Sequence, residues 1–380
     1  MKLLHTSDWH LGRSLHGASL IEYQRAFLAW LLDVAVREQV DAVLVAGDVY
    51  DRAVPPTDAV RLLDVALAGF AGAGVPVVIT SGNHDSAIRL GFGSALNRAA
   101  GVHLCTELAA LSDPLVLRDA AGELAIYGIP YLLPDAVMHD LGAERSHTSV
   151  LGAAVARVRE DAAGRGITRV VAVGHAFVTG GQESESERDI RVGGIGDAPA
   201  AVFDGLTYTA LGHLHGAQRI SERVRYSGSP LAFSFSERTH TKSITLVDVD
   251  AAGGVATRLL PTPQPRPLRE VRGHIDELLA DEDPALAESW VKAVLTDARR
   301  PMAPMERLRE KWPHTLVLDF VPEGVLVDPA TDLARLRETS DPVEICAHFM
   351  QWVDSTRPDP AHEDTLRSTV ETVRRLEASA

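Results

Sequence analysis

The chain has 380 residues, enough for one large core and a smaller unit. Its hydrophobic content of 46% and charged content of 23% are typical of a globular protein. No apolar stretch approaches the ~20 residues of a helix that spans a bilayer. The formal net charge of −15 does not favour nucleic-acid binding. It does not exclude such binding either, because a local basic groove or bound divalent metals can outweigh the negative net charge of the whole chain.

The two cysteines, Cys105 and Cys346, lie far apart in the sequence, which argues against a disulfide framework. The N-terminus enters a strand-like segment directly, without a charged leader and an apolar segment. We therefore expect a cytoplasmic protein.

Strand-like and helix-like patterns alternate at the start of the chain. The predicted order is strand Lys2–Thr6, helix Ile21–Gln39, strand Ala42–Ala46, helix Thr57–Ala73, strand Val75–Thr80 and a helix from Ser86 to about Asn97. Thr57 is the expected N-cap of the second helix, because its hydroxyl can accept from a first-turn amide. This alternation predicts a mostly parallel sheet with helices outside it.

Shorter β segments follow from Pro114 onward, near Leu115–Arg118, Leu124–Gly128, Arg225–Gly228 and Ser243–Val249. They predict a second, more antiparallel sheet packed on the first. The expected fold class is therefore α/β, with two packed mixed β-sheets flanked by helices over residues 1–260.

Four prolines between Pro261 and Pro267 mark the clearest boundary, because they favour an extended spacer. Beyond it, a small α+β capping domain is predicted over residues 268–330. Its strands are Arg269–Arg272, Val291–Leu295 and Leu316–Val321, and its helices are Ile275–Ala280 and Met305–Trp312.

Residues 341–380 are predicted as a helical tail that binds a partner. One apolar stripe comprises Val343, Cys346, Phe349, Met350 and Val353, and a second comprises Leu366, Thr369, Val370, Val373 and Leu376. Such stripes dock on a partner helix or coiled coil, or fold back on the chain's own core, and both alternatives stay open.

Five short polar motifs follow strand-like runs. They are Asp8-Trp9-His10, Gly47-Asp48, Gly82-Asn83-His84-Asp85, Gly174-His175 and Gly212-His213-Leu214-His215. Because open α/β sheets gather their chemistry beyond the carboxyl ends of the strands, these side chains should meet. One strand-end Asp or His is usually a cap or turn residue, but five motifs in this pattern predict a two-metal hydrolytic site.

The candidate metal ligands are Asp8, His10, Asp48, Asn83, His175, His213 and His215. Side chains two apart on an extended segment point to one side, so Asp8 with His10, and His213 with His215, can each address one ion. The carboxylate of Asp48 is suited to bridge two cations. Mixed imidazole and oxygen ligands favour Mn, Fe or Zn over Ca, and two such metals suit phosphoester hydrolysis.

His84 is the predicted catalytic residue. It should point away from the metals toward the substrate and act as a general acid on the leaving group. Either Asp51 or Asp85 could orient its imidazole through a hydrogen bond, and the pattern does not choose between them.

Other polar residues have plainer interpretations. We assign seven histidines to the surface: His5, His16, His103, His139, His147, His240 and His362. A locally basic stretch comprises Arg188, Arg191, Arg219, Arg223, Arg225, Arg238 and Lys242. A solvated surface or a track for a phosphate backbone explains this stretch equally well.

The five motifs resemble those of the calcineurin-type metallophosphoesterase superfamily. The longer segments LLHTSDWHLG, VDAVLVAGDVYDRAVPP, SGNHDS, ALGHLHGAQ and RYSGSP closely resemble the SbcD family, bacterial relatives of the Mre-type DNA repair nucleases. The resemblance covers the first 250 residues and weakens beyond them. It implies a Mn-dependent exonuclease and hairpin-processing endonuclease in DNA repair and recombination. It also implies a homodimer, joined through Thr57–Ala73 and Ser86–Asn97, within a heterotetramer with SbcC, a coiled-coil ATPase.

The resemblance also implies roles for single residues. Asp8, His10, Asp48 and His215 would hold one metal, and Asp48, Asn83, His175 and His213 the other. Archaeal and eukaryotic relatives carry a second histidine where this chain has Asp51, so a two-histidine mechanism is not transferred. A stand-alone phosphodiesterase for a small nucleotide or a phosphoprotein is the alternative function.

Overall fold

The computed structural model describes residues 1–187, 197–323, 341–354 and 358–377, apart from the side chains of 352–354, 374, 376 and 377. The chain divides into two compact units, Met1–Pro265 and Arg266–Ala380. Arg188 and Arg191 of the predicted basic stretch lie outside the described residues. The same holds for residues 324–330 of the predicted capping domain and for the side chains of Val353 and Leu376.

The first unit contains fourteen strands and six α-helices in its described residues. The strands are β1 Lys2–Thr6, β2 Ser14–Leu15, β3 Ala18–Ser19, β4 Ala42–Ala46, β5 Val77–Thr80, β6 Val102–Cys105, β7 Leu115–Asp119, β8 Gly122–Ile129, β9 Arg169–His175, β10 Tyr208–Gly212, β11 Gln218–Arg219, β12 Val224–Tyr226, β13 Ser243–Val249 and β14 Val255–Pro261. The helices are α1 Ile21–Arg37, α2 Thr57–Gly72, α3 Ala87–Leu90, α4 Ser94–Ala99, α5 Pro134–Leu141 and α6 His147–Gly164.

The first sheet has the strand order β14-β13-β1-β4-β5-β6. Strands β1, β4, β5 and β6 are parallel, as the alternation of strands and helices predicts. All five residues of β4 are buried, because helices cover one face of the sheet and the second sheet covers the other. On the helix side, Phe27 and Leu31 of α1 and Phe70 of α2 fill the core.

The second sheet has the order β11-β12-β10-β9-β8-β7, and its four inner strands are parallel. The prediction that it would be more antiparallel is wrong: only the edge pairs β7–β8 and β11–β12 run that way. In addition, β13 pairs with β1 in the first sheet. The local pattern identifies a strand, but tertiary packing selects its neighbour. An apolar layer that includes Leu44, Val78 and Val171 joins the two sheets.

Two helix boundaries differ from the prediction. Thr57 is the first residue of α2, and the N-cap is Pro56, which supplies no side-chain hydrogen bond. The single helix expected after Ser86 is divided into α3 and α4, because Gly93 adopts a left-handed conformation with φ of 72° between them. Ser86 itself caps α3 by accepting from the Arg89 N–H.

The second unit begins with three parallel strands, β15 Leu268–Gly273, β16 Trp290–Leu295 and β17 Thr315–Phe320. The short helices are α7 Ile275–Ala280, α8 Pro284–Ala287 and α9 Pro304–Lys311, and their core includes Leu308 and Trp312. The tail forms α10 Pro342–Asp354 and α11 Pro360–Glu377, which contact each other. Among the described helices, none is both long and apolar enough to cross a membrane.

Candidate dimetal centre

The predicted site residues meet at the carboxyl ends of five strands. Asp8 and His10 follow β1, Asp48 follows β4, Asn83 to Asp85 follow β5, His175 ends β9, and His213 and His215 follow β10. Because these strands are parallel to their neighbours within each sheet, their ends open on one edge of the two-sheet stack. The strand-end rule therefore predicted correctly that these side chains would meet.

Several of these side chains are oriented by a strained backbone conformation. Four of the predicted ligands have positive φ: Asp8 at 52°, His10 at 44°, Asp48 at 49° and His213 at 111°. Non-glycine residues rarely adopt such angles, and each costs on the order of 1–3 kcal/mol. Hydrogen bonds between the loops hold them there, since the Asp8 N–H donates to the Gly47 carbonyl at 3.1 Å and the His10 N–H donates to the Asp48 carbonyl at 2.9 Å.

Two motif glycines are required because neighbouring loops approach their Cα atoms. A Cβ at Gly82 would lie 2.1 Å from Oδ1 of Asp48. A Cβ at Gly212 would lie 1.8 Å from the carbonyl oxygen of Ala46. Any side chain at either position would therefore displace the loops that carry the predicted ligands.

Asp48 lies between two groups of donor atoms. Its Oδ2 is 3.6 Å from Nε2 of His10 and 3.5 Å from Nε2 of His175. On the His10 side, Nε2 of His10 faces Nε2 of His215 at 3.1 Å. On the His175 side, Nε2 of His175 lies 2.8 Å from Oδ1 of Asn83.

Three sets of side chains have donor atoms within 4.8 Å of one another: Asp8 with His10 and His215, His10 with Asp48 and His84, and Asp8 with Asp48 and His175. All of these side chains are buried.

The structure separates the side chains of His213 and His215, which were expected to address one ion together. His215 packs against His10, with ring centroids 5.0 Å apart, whereas His213 packs against His175 at 5.3 Å. The backbone N–H of His213 donates to Oδ1 of Asp8 at 3.0 Å. The pairing assumed an extended chain, and the positive φ of His213 breaks that geometry.

The electrostatics of the cluster fit bound cations. Burial, reinforced by the charge of Asp48, raises the pKa of Asp8 well above its usual range. Burial also lowers the pKa of His10, as does the neighbouring imidazole of His215. Adjacent buried carboxylates repel each other and neutral imidazoles offer lone pairs, so divalent cations would satisfy both. The donor set thus fits a dimetal site, with imidazole and carboxylate groups suited to transition metals.

His84 faces the cluster, contrary to the expectation that it would point away. Its Nε2 lies 4.0 Å from Oδ2 of Asp48, and its ring centroid lies 4.7 Å from that of His10. Its Nδ1–H donates to the backbone carbonyl of Asp51 at 2.7 Å. That bond fixes the ring with one nitrogen directed at the centre.

Neither carboxylate proposed to orient His84 does so. The Asp51 carboxylate lies 3.6 Å from Nδ1 of His10 and 3.6 Å from Nη1 of Arg13, and it is the Asp51 carbonyl that accepts from the His84 ring. The Asp85 carboxylate accepts from the backbone N–H groups of Val49, Tyr50 and Gly82. Asp85 therefore clamps the β4 and β5 loops together. Burial and the charge of Asp48 raise its pKa to about 7.

Two histidines assigned to the surface are buried. His5 is fully buried, with Nδ1 accepting from the Tyr208 hydroxyl at 3.0 Å and Nε2 donating to the Leu211 carbonyl at 3.1 Å. His147 is 8% exposed. The alternation of side chains along β1 would have predicted that His5 is buried only if both faces of the sheet were known to be covered.

Sequence reasoning missed a second layer of polar residues. Gln24 of α1 donates to the His10 carbonyl at 2.7 Å, and Ser7 donates to the Asp8 carboxylate. Lys242, placed in the basic stretch, is 4% exposed and pairs with buried Glu237, so both interpretations of that stretch are wrong for this residue. The sequence signal for a buried acidic residue was Glu237, which lies just after the largely apolar segment 231–235.

Comparison with known proteins agrees with this geometry. A profile of calcineurin-like phosphoesterases matches residues 1–217, and one described as type 5 capsule protein repressor C-terminal domain matches residues 264–353.

Three curated SbcD proteins, each named as a subunit of the nuclease SbcCD, are similar to the chain. The one from Rhodobacter capsulatus is 42% identical over 288 residues, which cover 70% of this chain and 71% of that protein. The Staphylococcus saprophyticus protein is 30% identical over 84% of each chain. The Bacillus subtilis protein is 36% identical over 65% of this chain and 66% of that protein. The chain therefore belongs to the calcineurin-like phosphoesterases and, within them, to the SbcD family of SbcCD nuclease subunits.

Proposed function

We propose that this chain is a two-metal DNA nuclease, both exonuclease and hairpin-processing endonuclease, that works with an SbcC-type ATPase in DNA repair and recombination. The observation that carries the proposal is the position of Asp48, whose Oδ2 lies 3.6 Å from a nitrogen of His10 and 3.5 Å from one of His175. A carboxylate between two imidazole groups is suited to bridge two cations. The relatives are named as subunits of the nuclease SbcCD, and the resemblance to the SbcD family adds DNA as the substrate and an ATPase as the partner.

The ligand assignment is part of the proposal. Asp8, His10, Asp48 and His215 hold one divalent cation, and Asp48, Asn83, His175 and His213 hold the other. Mn²⁺ is the metal we propose, because the ligand set suits Mn, Fe or Zn and the resemblance to the SbcD family favours Mn among them. Bound cations would neutralise phosphate charge and lower the pKa of a water nucleophile.

His84 is proposed as the general acid. Its Nδ1–H is committed to the Asp51 carbonyl, and its Nε2 faces the centre, 4.0 Å from Asp48. When protonated, Nε2 can donate to the leaving alkoxide. The Asp51 carbonyl holds the ring in that orientation through both protonation states.

A homodimer is proposed through α2 and the α3–α4 segment. This surface exposes large apolar side chains, with Val65 62% exposed, Ile88 85%, Phe92 85% and Leu96 82%. Exposed apolar side chains on adjacent elements are typical of an interface. A two-fold dimer would present two centres to two DNA strands or ends. Sedimentation should detect a dimer that Phe92→Asp weakens, and a strictly monomeric wild-type chain would contradict an intrinsic dimer.

The most direct functional test offers two substrates to the purified chain with Mn²⁺. We expect cleavage of a hairpin-ended DNA duplex, and loss of that cleavage on chelation. Cleavage of a chromogenic phosphodiester alone would instead favour a stand-alone phosphodiesterase for a small nucleotide or phosphoprotein.

The tail is proposed to dock on the coiled coil of the ATPase. In α10, Phe349 is 58% exposed and Ile345 39%, and in α11 Val373 is 47% exposed. Removing the residues after Ser340 should spare Mn²⁺-dependent cleavage by the chain alone and abolish its co-purification with the ATPase. Unchanged affinity for the ATPase would assign the tail to the chain's own core.

A further inference from the structure

A buried polar chain runs from His215 away from the dimetal centre. The Nδ1 of His215 lies 2.5 Å from the hydroxyl of Ser186. That hydroxyl donates to Oε1 of Glu237 at 2.5 Å. The other carboxylate oxygen of Glu237 pairs with the ammonium group of Lys242. Glu237 is 1% exposed and Lys242 4% exposed, so this ion pair is shielded from water.

The donor and acceptor roles along these hydrogen bonds follow from one another, starting at Glu237. The Lys242 ammonium group pairs with one oxygen of Glu237, so the carboxylate is charged and its other oxygen only accepts. The one proton of the Ser186 hydroxyl therefore goes to Glu237. The Ser186 oxygen then accepts, and Nδ1 of His215 must carry the proton. The lone pair of Nε2 is left facing His10 Nε2, 3.1 Å away.

The same group of residues also holds the backbone of His215. The Lys242 ammonium donates to the His215 carbonyl at 2.8 Å and to the Ser229 hydroxyl at 2.9 Å. The His215 N–H donates to Oε1 of Glu187 at 2.7 Å. His215 is thus anchored at its backbone nitrogen, its carbonyl and the outer nitrogen of its ring. Only the inner ring nitrogen remains for the centre.

We propose that Glu237, acting through Ser186, is a positioning residue that holds His215 in the Nδ1–H tautomer and presents its Nε2 lone pair to the dimetal centre. Lys242 keeps the Glu237 carboxylate charged and ties it to the His215 backbone. The inference rests on the proposed function in one respect, which is that His215 is a metal ligand. The tautomer itself, however, is a property of the metal-free chain. Partners of this kind are typically worth 10–100-fold in metal affinity.

The first test measures the tautomer without metal. The full chain is labelled with ¹⁵N-histidine, and the His215 ring signals are identified in long-range ¹H–¹⁵N spectra by their loss in His215→Ala. We expect an Nδ1–H ring in the wild type and a shift toward Nε2–H in Ser186→Ala. Ser186→Thr should restore the wild-type spectrum because it keeps the hydroxyl. An Nε2–H ring in the wild type, or an unchanged tautomer in Ser186→Ala, would overturn the proposal.

A second variant guards against misfolding. Glu237→Gln combined with Lys242→Met removes both buried charges together, so no unpaired charge is left. It should also loosen the tautomer preference. Ser149→Ala is the control, because its hydroxyl accepts from the Glu144 N–H at 2.9 Å and is not part of this network of hydrogen bonds. The control should keep the wild-type spectrum, and a change as large as that of Ser186→Ala would overturn the proposal.

The second measurement separates this inference from the proposed function. Calorimetric titration with Mn²⁺ should give two sites in the wild type and, in Ser186→Ala, 10–100-fold weaker binding at one of them. If the tautomer shifts but His215→Ala binds Mn²⁺ like the wild type, the metal assignment fails while the tautomer lock stands. If His215→Ala loses a site and Ser186→Ala changes neither tautomer nor affinity, the metal assignment stands and the positioning role of Glu237 is wrong.

Discussion

Both units contain parallel strands, but only the first builds a buried reactive centre at their carboxyl ends. In the second unit, His274 follows β15 and Asp297 follows β16, with Nδ1 of His274 3.8 Å from Oδ1 of Asp297. His274 is 46% exposed, and the other oxygen of Asp297 accepts from the Ile275 N–H at the start of α7. An acidic residue and a histidine at parallel strand ends therefore serve here as an ordinary helix-start contact.

The difference lies in what surrounds the strand ends. In the first unit, two sheets stack on a shared apolar layer, so ligands arrive from the strand ends of both sheets and are buried between them. Strained loops then turn Asp8, His10 and Asp48 inward. The described residues of the second unit contain a single three-stranded sheet. A parallel sheet provides an edge, and a metal centre needs loops that converge on that edge.

The largest expected effect comes from removing the shared carboxylate. Asp48→Asn should lose cleavage activity to background, a greater loss than the ~10²–10⁴-fold expected for removing a general acid. Both metals depend on its charge in our assignment, so metal analysis should find both sites weakened. Asp297→Asn in the second unit is the matched control and should keep full activity and metal content. Full metal occupancy in Asp48→Asn would contradict the bridging role.

His84→Ala should have the next largest effect. We expect a ~10²–10⁴-fold loss of turnover with both metals retained, because His84 is assigned to proton donation and not to metal binding. Turnover and bound Mn²⁺ are measured on the same preparation. Since His84 lies 4.0 Å from Asp48, empty metal sites in the variant would instead make it a ligand.

Glycine substitutions sharpen the contrast between the two units. Gly82→Ala should weaken Mn²⁺ binding and cost ~1–3 kcal/mol of stability, because the new Cβ would meet the Asp48 carboxylate at 2.1 Å. Gly273→Ala, at the end of β15, places its Cβ 3.4 Å or more from Glu277 and Leu278, so its cost comes from the positive φ of 158° and not from contact with a metal ligand. It should leave metal affinity unchanged. Equal effects of the two substitutions on Mn²⁺ titration would remove the argument for tight loop packing.

The effect that is smallest at neutral pH concerns acid stability. Burial, opposed by the Leu211 hydrogen bond, lowers the pKa of His5 to about 3. Below the unfolded pKa of ~6.5, the unfolded chain takes up a proton that the folded chain refuses. The stability that neutral His5 contributes is therefore fully present above pH ~6.5. It is lost as pH drops toward 3, by at most ~1.4 kcal/mol per pH unit.

Urea unfolding at several pH values checks this effect. His5→Gln should flatten the acid slope between pH ~6 and ~4, whereas His274→Gln, at a half-exposed position, should not. An unchanged slope in His5→Gln would mean that the buried imidazole is not the source.

The sequence predicted most of the fold and the members of the site, for identifiable reasons. The alternation of apolar and amphipathic segments determines β1, α1, β4, α2 and β5 locally. Polar residues directly after strands must lie at the sheet edge. Partner choice is not local, which is why β13 was assigned to the wrong sheet. The separation of His213 from His215 depends on a positive φ that no spacing rule contains. The pairing of Lys242 with Glu237 depends on a loop that folds back beside Ser186.

The central claim is that the first unit binds two metal ions that share Asp48. Anomalous scattering from crystals of the full chain soaked in Mn²⁺ tests it most directly, because it locates each ion independently of activity. We predict two peaks flanking the Asp48 carboxylate, one beside His10 and His215 and the other beside His175 and Asn83. A single peak, or no peak among these side chains, would contradict the account.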